Sequence, residues 1–379
     1  MKHNAYISTA YNSETSGIYA NPRTITASIK VNGITYTQQD IKTFKIDSTP
    51  VNGKWFGISY SQQLSVTFVD PNKNITINRG NTVQVSLMCN DEKVDYPLYY
   101  VDSSNRDEKT GDLTVVGFDI MARANNKTFT LPDGWSGDYE ALCEWCAALL
   151  GANGYAITGN PSAVPSQIWT TETINIPSDG YSLRDMITAV AEVGGRFAYI
   201  NSQNTLVFRM VTNNAASEVD YPHNFINAPV KIDKSRYFEL TTDKKCVLTG
   251  ITHKNELNDI VSVGNNNSIV QVLYDNPLLS GLKDTPGGST ADQKIEAILN
   301  NILNNIYTTV TPFNLSWRGN MACEIGDTVW VAEKECTTPA SSWVYGSTPG
   351  VIWNCFYLSE TVEYNGGVRG TAQWEYQPE

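Results

Sequence analysis

Long apolar runs are missing from this 379-residue chain. No stretch approaches the roughly 18 consecutive apolar residues a helical membrane span requires. The opening, Met1 to Thr9, has no apolar core of signal-peptide length, so the expectation is a protein made and kept in the cytoplasm. Basic residues are also scarce: 27 Lys and Arg face 39 Asp and Glu, giving a formal charge of −12 with no basic cluster. That balance argues against a nucleic-acid-binding surface, although an acidic wall that DNA slides past is compatible with it. Cysteine is limited to seven, an odd number in a chain too large to need covalent staples, which makes reduced thiols the default. The Asn-X-Ser/Thr sites at Asn74 and Asn314 then carry no glycosylation meaning. Three histidines, His3, His223 and His253, are scattered. No phosphate loop of the Walker type, no His-Glu-x-x-His and no Gly-x-Ser-x-Gly occurs.

The chain does hold the composition of a globular protein, 41% hydrophobic and 17% charged, with length for two or three domains. Its middle writes one unit twice, an amphipathic helix, a glycine break and a strand, from Asp138 to Ile157 and again from Tyr181 to Ile200. In the first copy Leu142, Cys146, Leu149 and Leu150 form one stripe, and Gly151 with Asn153-Gly154 ends the helix. In the second, Ser182 and Asp185 make a capping box ahead of Met186, Ile187, Val190 and Val193, and Gly194-Gly195 follows. Phe197 and Tyr199, then Leu206 and Phe208, flank a turn at Asn201 to Asn204 and predict a hairpin under the helix.

On either side lie arms patterned as strand. Ile25, Ala27, Ile29 and Val31 alternate with polar residues, and Asn32-Gly33 suits a two-residue turn whose central residues need positive φ, after which Ile34 and Tyr36 resume the alternation. Leu64, Val66 and Phe68 stop at Asp70-Pro71; Val83, Val85 and Leu87 follow Arg79-Gly80-Asn81; Tyr99 to Val101 and Leu113 to Phe118 complete about seven strands. The later arm predicts strands at Lys245 to His253, Ser268 to Tyr274, Thr328 to Ala332, Val351 to Val362 and Gly370 to Tyr376. One helix interrupts it, opened by a capping box at Thr290 and Gln293 and carrying Ile295, Ile298, Leu299, Ile302 and Ile306 on a single face. The fold class expected is α+β, mainly β: a first β-barrel at 1–124, an α+β connecting domain at 125–222, and a second β-barrel at 223–379 with a helix inserted at about 289–308.

Chemistry-bearing residues have plainer readings. Cys143 and Cys146 could serve redox work or half a zinc site, but tetrahedral zinc needs two more ligands, Cys323 and Cys336 stand thirteen apart, and two thiols on an apolar helix face are packing residues. Glu324 with Asp327, and Glu333 with Glu335, resemble acid/base pairs, yet such pairs at strand ends of an acidic protein are ordinarily solvated. Nothing in the sequence places a nucleophile beside His223 or His253. Asp107 to Asp112 lacks the spacing of a calcium loop and reads as a hairpin turn. Five of nine tryptophans, Trp317, Trp330, Trp343, Trp353 and Trp374, fall late; Trp330 and Trp353 read as core, whereas Trp343 and Tyr345 sit in the Thr337–Gly350 loop and suggest a partner contact. No catalytic, cofactor-binding or metal residue is assigned, and no cofactor is expected.

Several stretches resemble one family. Pro97-Leu-Tyr-Tyr-Val101 with Leu113 to Met121 looks like the end of the first barrel of phage tail hub proteins, and Leu183 to Ile200 followed by Asn204 to Phe208 resembles their helix and hairpin. Asp275-Asn-Pro-Leu-Leu279 and Glu324 to Val331 match positions in their second barrel. The family includes baseplate hubs of contractile tails and the N-terminal hub region of tail-associated lysins, often labelled prophage endopeptidase tail proteins. Resemblance implies a non-enzymatic homotrimer whose two similar barrels per subunit form a pseudo-hexameric ring closing the distal end of the tail tube in the virion. The implied partners are a distal tail or tube protein, the tape measure and a tip spike, fibre or receptor-binding protein, with DNA passing through the lumen unbound. Because the chain stops at Glu379 rather than running into a hydrolase, the endopeptidase label is not carried over. Two other classes stay open: a cell-wall or carbohydrate-degrading tail enzyme using Glu324 or another carboxylate, and a carbohydrate-binding adhesin module built on the late tryptophans.

Overall fold

The computed structural model describes residues 24–48, 54–89, 92–177, 180–211, 230–232, 237–265, 267–317, 328–332 and 349–376. Eight strands come first: β1 (Ile25–Val31), β2 (Ile34–Thr37), β3 (Ile41–Ser48), β4 (Ile58–Ser59), β5 (Gln63–Phe68), β6 (Thr82–Cys89), β7 (Glu92–Arg106) and β8 (Leu113–Asp119). The alternation read in the sequence is what buries them, since Val83, Val85 and Leu87 face inward while their neighbours stay half-exposed. Asn32 and Gly33 turn the first hairpin with φ of 46° and 91°. Ile34 does not follow the expected inward face. It is 62% exposed because β2 is a short edge strand, bonded to β1 alone among the described residues.

The middle runs through a 3-10 turn (Ile120–Asn126), β9 (Ser136–Gly137), α1 (Tyr139–Leu150), β10 (Tyr155–Thr158), β11 (Trp169–Thr170), α2 (Leu183–Val193), β12 (Phe197–Ile200) and β13 (Leu206–Arg209). Gly151 caps α1 in the left-handed region at φ 83°, and Ser182 with Asp185 forms the expected capping box. Both copies of the repeated unit lay their strand into one sheet of order β10-β13-β12-β4. The last stretch holds β14 (Val230–Ile232), β15 (Tyr237–Thr242), β16 (Cys246–Lys254), β17 (Ile260–Gly264), β18 (Ile269–Tyr274), α3 (Pro277–Ser280), α4 (Ala291–Asn305), β19 (Thr309–Trp317), β20 (Thr328–Ala332), β21 (Val351–Tyr364) and β22 (Val368–Tyr376).

The fold is mostly β, in keeping with the expected class. Two separate closed barrels are not what the described strands form. A single 16-stranded sheet runs through both arms, and no sheet closes among the described residues. The reason lies in β3, whose outer edge pairs with β21, from Tyr364 opposite Phe44 to Glu360 opposite Ser48, instead of with β2. Phe44 stacks on Tyr364 across this seam, centroids 5.1 Å apart, so one apolar core extends through both arms.

Strand order nevertheless repeats. The first arm reads β1-β6-β7-β8-β5-β3 and the second β14-β20-β21-β22-β19-β15. Every neighbouring pair in these two series is antiparallel except β14 with β20. Both series are interrupted at the same place. Between β3 and β5 the chain leaves to build β4; between β15 and β19 it leaves to build β16 to β18, α3 and α4. Both excursions dock on the middle: β4 pairs with β12, and Leu248, Ile251, Leu278, Leu279, Ile298 and Ile302 share one core with α1 and α2. They also meet each other, as Trp55 N–H donates to Gln271 Oε1 (2.8 Å) and Gln271 Nε2 donates to the Phe56 carbonyl (3.0 Å).

Candidate assembly surface

The chemistry-bearing residues come first. Cys143 and Cys146 lie on the buried face of α1, and burial pushes both thiols well above their ordinary value, so neither is a ready nucleophile or ligand. His3, His223, Cys323, Glu324, Asp327, Glu333, Glu335, Cys336, Trp343 and Tyr345 lie outside the described residues, as does the Thr337–Gly350 loop apart from its last two positions. Trp330 is half-buried rather than core; the side chains of Trp317, Trp353 and Trp374 also lie outside the description. Among the described residues no three His, Cys, Asp or Glu side chains gather as metal ligands.

One juxtaposition escaped the sequence. Ser280, at the end of α3, stands 3.3 Å from His253 Nε2 and donates to Asp275 Oδ1 at 3.0 Å. A nucleophilic triad needs the carboxylate on the imidazole and the hydroxyl proton aimed at the imidazole. Here the hydroxyl proton is held by the carboxylate, and the histidine sits at the far end of the chain. Burial lowers the His253 pKa, partly offset by Asp275, which leaves a neutral ring tying β16 to α3.

The joint between the first arm and the middle is polar and closed. Asp119 ends β8, is buried, and accepts from Ser61 Oγ (2.7 Å), Gln62 N (2.9 Å) and Met121 N (3.0 Å). Desolvation lifts its carboxyl to about 6 against the pull of those donors and of Arg184. Arg184 reaches from α2 to Ser59 Oγ at 2.6 Å and also bonds the Ser59 carbonyl. Arg196 is wholly buried and donates to the carbonyls of Thr158 and Asn160, each at 2.7 Å, and of Ala163 at 3.2 Å. This guanidinium holds the segment after β10 from within. Glu192, on the last turn of α2, binds Asn276 Nδ2 (2.9 Å) and Lys54 (3.4 Å), fixing both excursions to one helix end. These are fastening groups, each held by several hydrogen bonds within its own neighbourhood.

What the molecule leaves open is sheet. Among the described residues only one face of the β17-β16-β18 unit is covered, by α4 and the middle. On its other face Lys254 stands between Ile260 and Tyr274 in register, and Thr252 between Ser262 and Val272. Ile260, Val272 and Tyr274 are 61%, 49% and 64% exposed, with Leu257 at 82% in the adjoining turn, a concentration of apolar surface on one side. Two strand edges are also open among the described residues. There β15 pairs with β19 alone, with Glu239, Thr241 and Thr242 exposed; β7 runs past the end of β6, so that Ser103 to Arg106 pair with β8 alone. Open apolar sheet and unpaired edges are instruments of association rather than catalysis.

Among the solved structures that match the chain over nearly its full length are two tail proteins. The tail protein from Neisseria meningitidis MC58 gives a TM-score of 0.56 at 13% identity, over 93% of this chain and 96% of that one. The 43 kDa tail protein of prophage MuSo2 from Shewanella oneidensis gives 0.52 at 12% identity, over 92% and 97%. No protein-family model and no curated protein matches the sequence. At such identities the likeness is one of fold, and the fold is that of phage tail proteins.

Proposed function

We propose that this chain is a structural, non-enzymatic component of a phage or phage-like tail: a hub that assembles as a homotrimer into a ring closing the distal end of the tail tube. The observation that carries this reading is the doubled strand order, two arms of like topology in one chain and joined edge to edge. Three such chains present six like units, which suits a part standing between a sixfold tube and a threefold tip. The fold shared with two tail proteins supports the setting.

In that role each subunit provides two quasi-equivalent barrel-like walls, divided at 1–124, 125–222 and 223–379, with the middle as the bracket holding them. No residue is assigned to catalysis, cofactor or metal. Its neighbours in the virion would be a distal tail or tube protein above, a spike, fibre or receptor-binding protein below, and the tape measure inside. DNA passes through the lumen without specific binding, which an excess of acidic residues favours by repelling phosphate.

Mass measurement of the purified protein at high concentration, with imaging of assembled tails, tests this. Three copies at the tube's distal end are expected. A monomer at all concentrations, with no density at the tip, sinks the proposal.

A further inference from the structure

The repeated strand order makes the seam inside the chain a template for a seam between chains. β21 runs beyond its partner β20, and its projecting end, Glu360 to Tyr364, is taken up by β3. Its counterpart in the first arm is β7, which likewise runs beyond β6 and ends opposite the start of β8, Arg106 facing Leu113 as Tyr364 faces Val368. Counting back from those ends sets Asn105, Ser104 and Ser103 where β21 has Glu363, Val362 and Thr361. The projecting end of β7 has no strand on its outer side among the described residues.

The receiving strand has a counterpart too. Leu64 faces Gly117 as Leu315 faces Ala372, which aligns β5 with β19. Ile46 faces Leu64 and Leu240 faces Leu315, so β15 stands where β3 stands, with Lys45, Ile46 and Asp47 answered by Glu239, Leu240 and Thr241. β3 uses its outer edge in the seam; the outer edge of β15 has no strand on it among the described residues. The described residues of one chain thus carry one completed seam, one unfilled donor strand and one unfilled receiver.

We infer that β7 of one copy pairs antiparallel with β15 of the next, Ser103 opposite Thr241, Ser104 opposite Leu240 and Asn105 opposite Glu239, repeating the β21–β3 register. This names the interface of the homotrimer proposed above and rests on that reading. Ser103 to Asn105 and Tyr237 to Thr242 contain no proline and no lysine, residues that commonly keep an edge from pairing, and the register shifts these strands carry, at Asp102 and Phe238, fall outside the three proposed pairs. The register puts no like charges face to face, and Asn105 can donate to Glu239. Because donor and receiver lie on different arms, the contact is head to tail and continues from copy to copy until rotation closes it.

Chains carrying Ser103→Cys are mixed with chains carrying Thr241→Cys after dissociation and reassembly, treated with a short bis-maleimide, and read on denaturing gels with peptide mapping. The expected result is a covalent dimer joined through positions 103 and 241, and a covalent trimer when one chain carries both changes. A pair on the exposed but non-equivalent edge strand β2, Ser103→Cys with Ile34→Cys, should stay unlinked. Folding is checked by circular dichroism, and Asn105→Cys with Glu239→Cys repeats the test at the neighbouring pair. A protein that is trimeric by mass yet links at neither matched pair, or links 103 to 34 instead, overturns this pairing and leaves the trimer standing. A protein that stays monomeric by mass overturns both.

Discussion

The two arms share a strand order but are finished differently. In the first, β5 and β8 end on a polar clasp, Gln62 beside Asp119; the positions that answer them in the second arm are Phe313 and Trp374, opposite each other in register. The first arm's excursion to the middle is a single two-residue strand, whereas the second arm's carries three strands and two helices. And among the described residues β3 has its outer edge filled where β15 does not. A repeated topology therefore does not mean a repeated role: one arm is anchored inside the subunit by hydrogen bonds and a shared seam, and the other is anchored by bulk burial against the middle, leaving an edge free.

The largest expected effect separates the filled edge from the open one. Phe44→Ala removes a buried ring that stacks on Tyr364, and should destabilise the subunit by about 3 to 5 kcal/mol in denaturant unfolding. The matched change on the open edge, Leu240→Ala, removes a half-buried side chain and should cost about 1 kcal/mol in the isolated subunit. Equal losses at the two sites would break the contrast.

Next comes the clasp. The Asp119 carboxyl is raised to about 6 from 3.8, so below about pH 4 it is protonated in both folded and unfolded chains and adds nothing. As pH rises the unfolded chain ionises first, and stability falls until about pH 6, by about 3 kcal/mol at ~1.4 kcal/mol per pH unit. Asp119→Asn should remove that slope while lowering stability at pH 4, because its amide then confronts an N–H or O–H donor. Unfolding curves from pH 4 to 7 for both proteins check the sign; a wild-type stability that climbs relative to the variant across this range refutes it.

The smallest effect tests seam register. Glu363 faces Lys45, so Lys45→Glu sets like charges opposite each other at an exposed pair and should cost about 0.2 to 1 kcal/mol, shrinking in high salt. Position 239 already holds a glutamate, but the register proposed between chains faces it with Asn105. Asn105→Asp should then weaken association without altering subunit stability, measured by the concentration dependence of mass.

Much of the fold was legible because it is local. Period-two burial, the Asn32-Gly33 turn and the capping boxes of α2 and α4 follow from neighbours a few residues apart. Three strands that went unread each break the local pattern. In β3 a bulge between Ile41 and Thr43 sets the buried residues at Ile41, Phe44, Ile46 and Ser48, so the alternation breaks where it would have been noticed. β19 carries Pro312, which argues against a strand with partners on both sides, and β17 is a five-residue run among asparagines. The unread β3 is the strand that joins the arms, and missing it made two separate barrels the natural expectation. The fastening groups were equally silent. Arg196 looks like any arginine until the carbonyls of Thr158, Asn160 and Ala163 close on it, and Ser280 has no reason to be near His253 until β16 and α3 pack.

By itself the sequence determined the local units: which residues alternate, where helices begin and stop, and that neither a basic run nor an apolar run of membrane-spanning length occurs along it, since each depends on chemistry within a few residues. Only the tertiary structure decided which strand edges are filled. An edge presents the same backbone donors and acceptors whatever its side chains, so β3 and β15 are distinguished not by composition but by what the rest of the chain brings beside them.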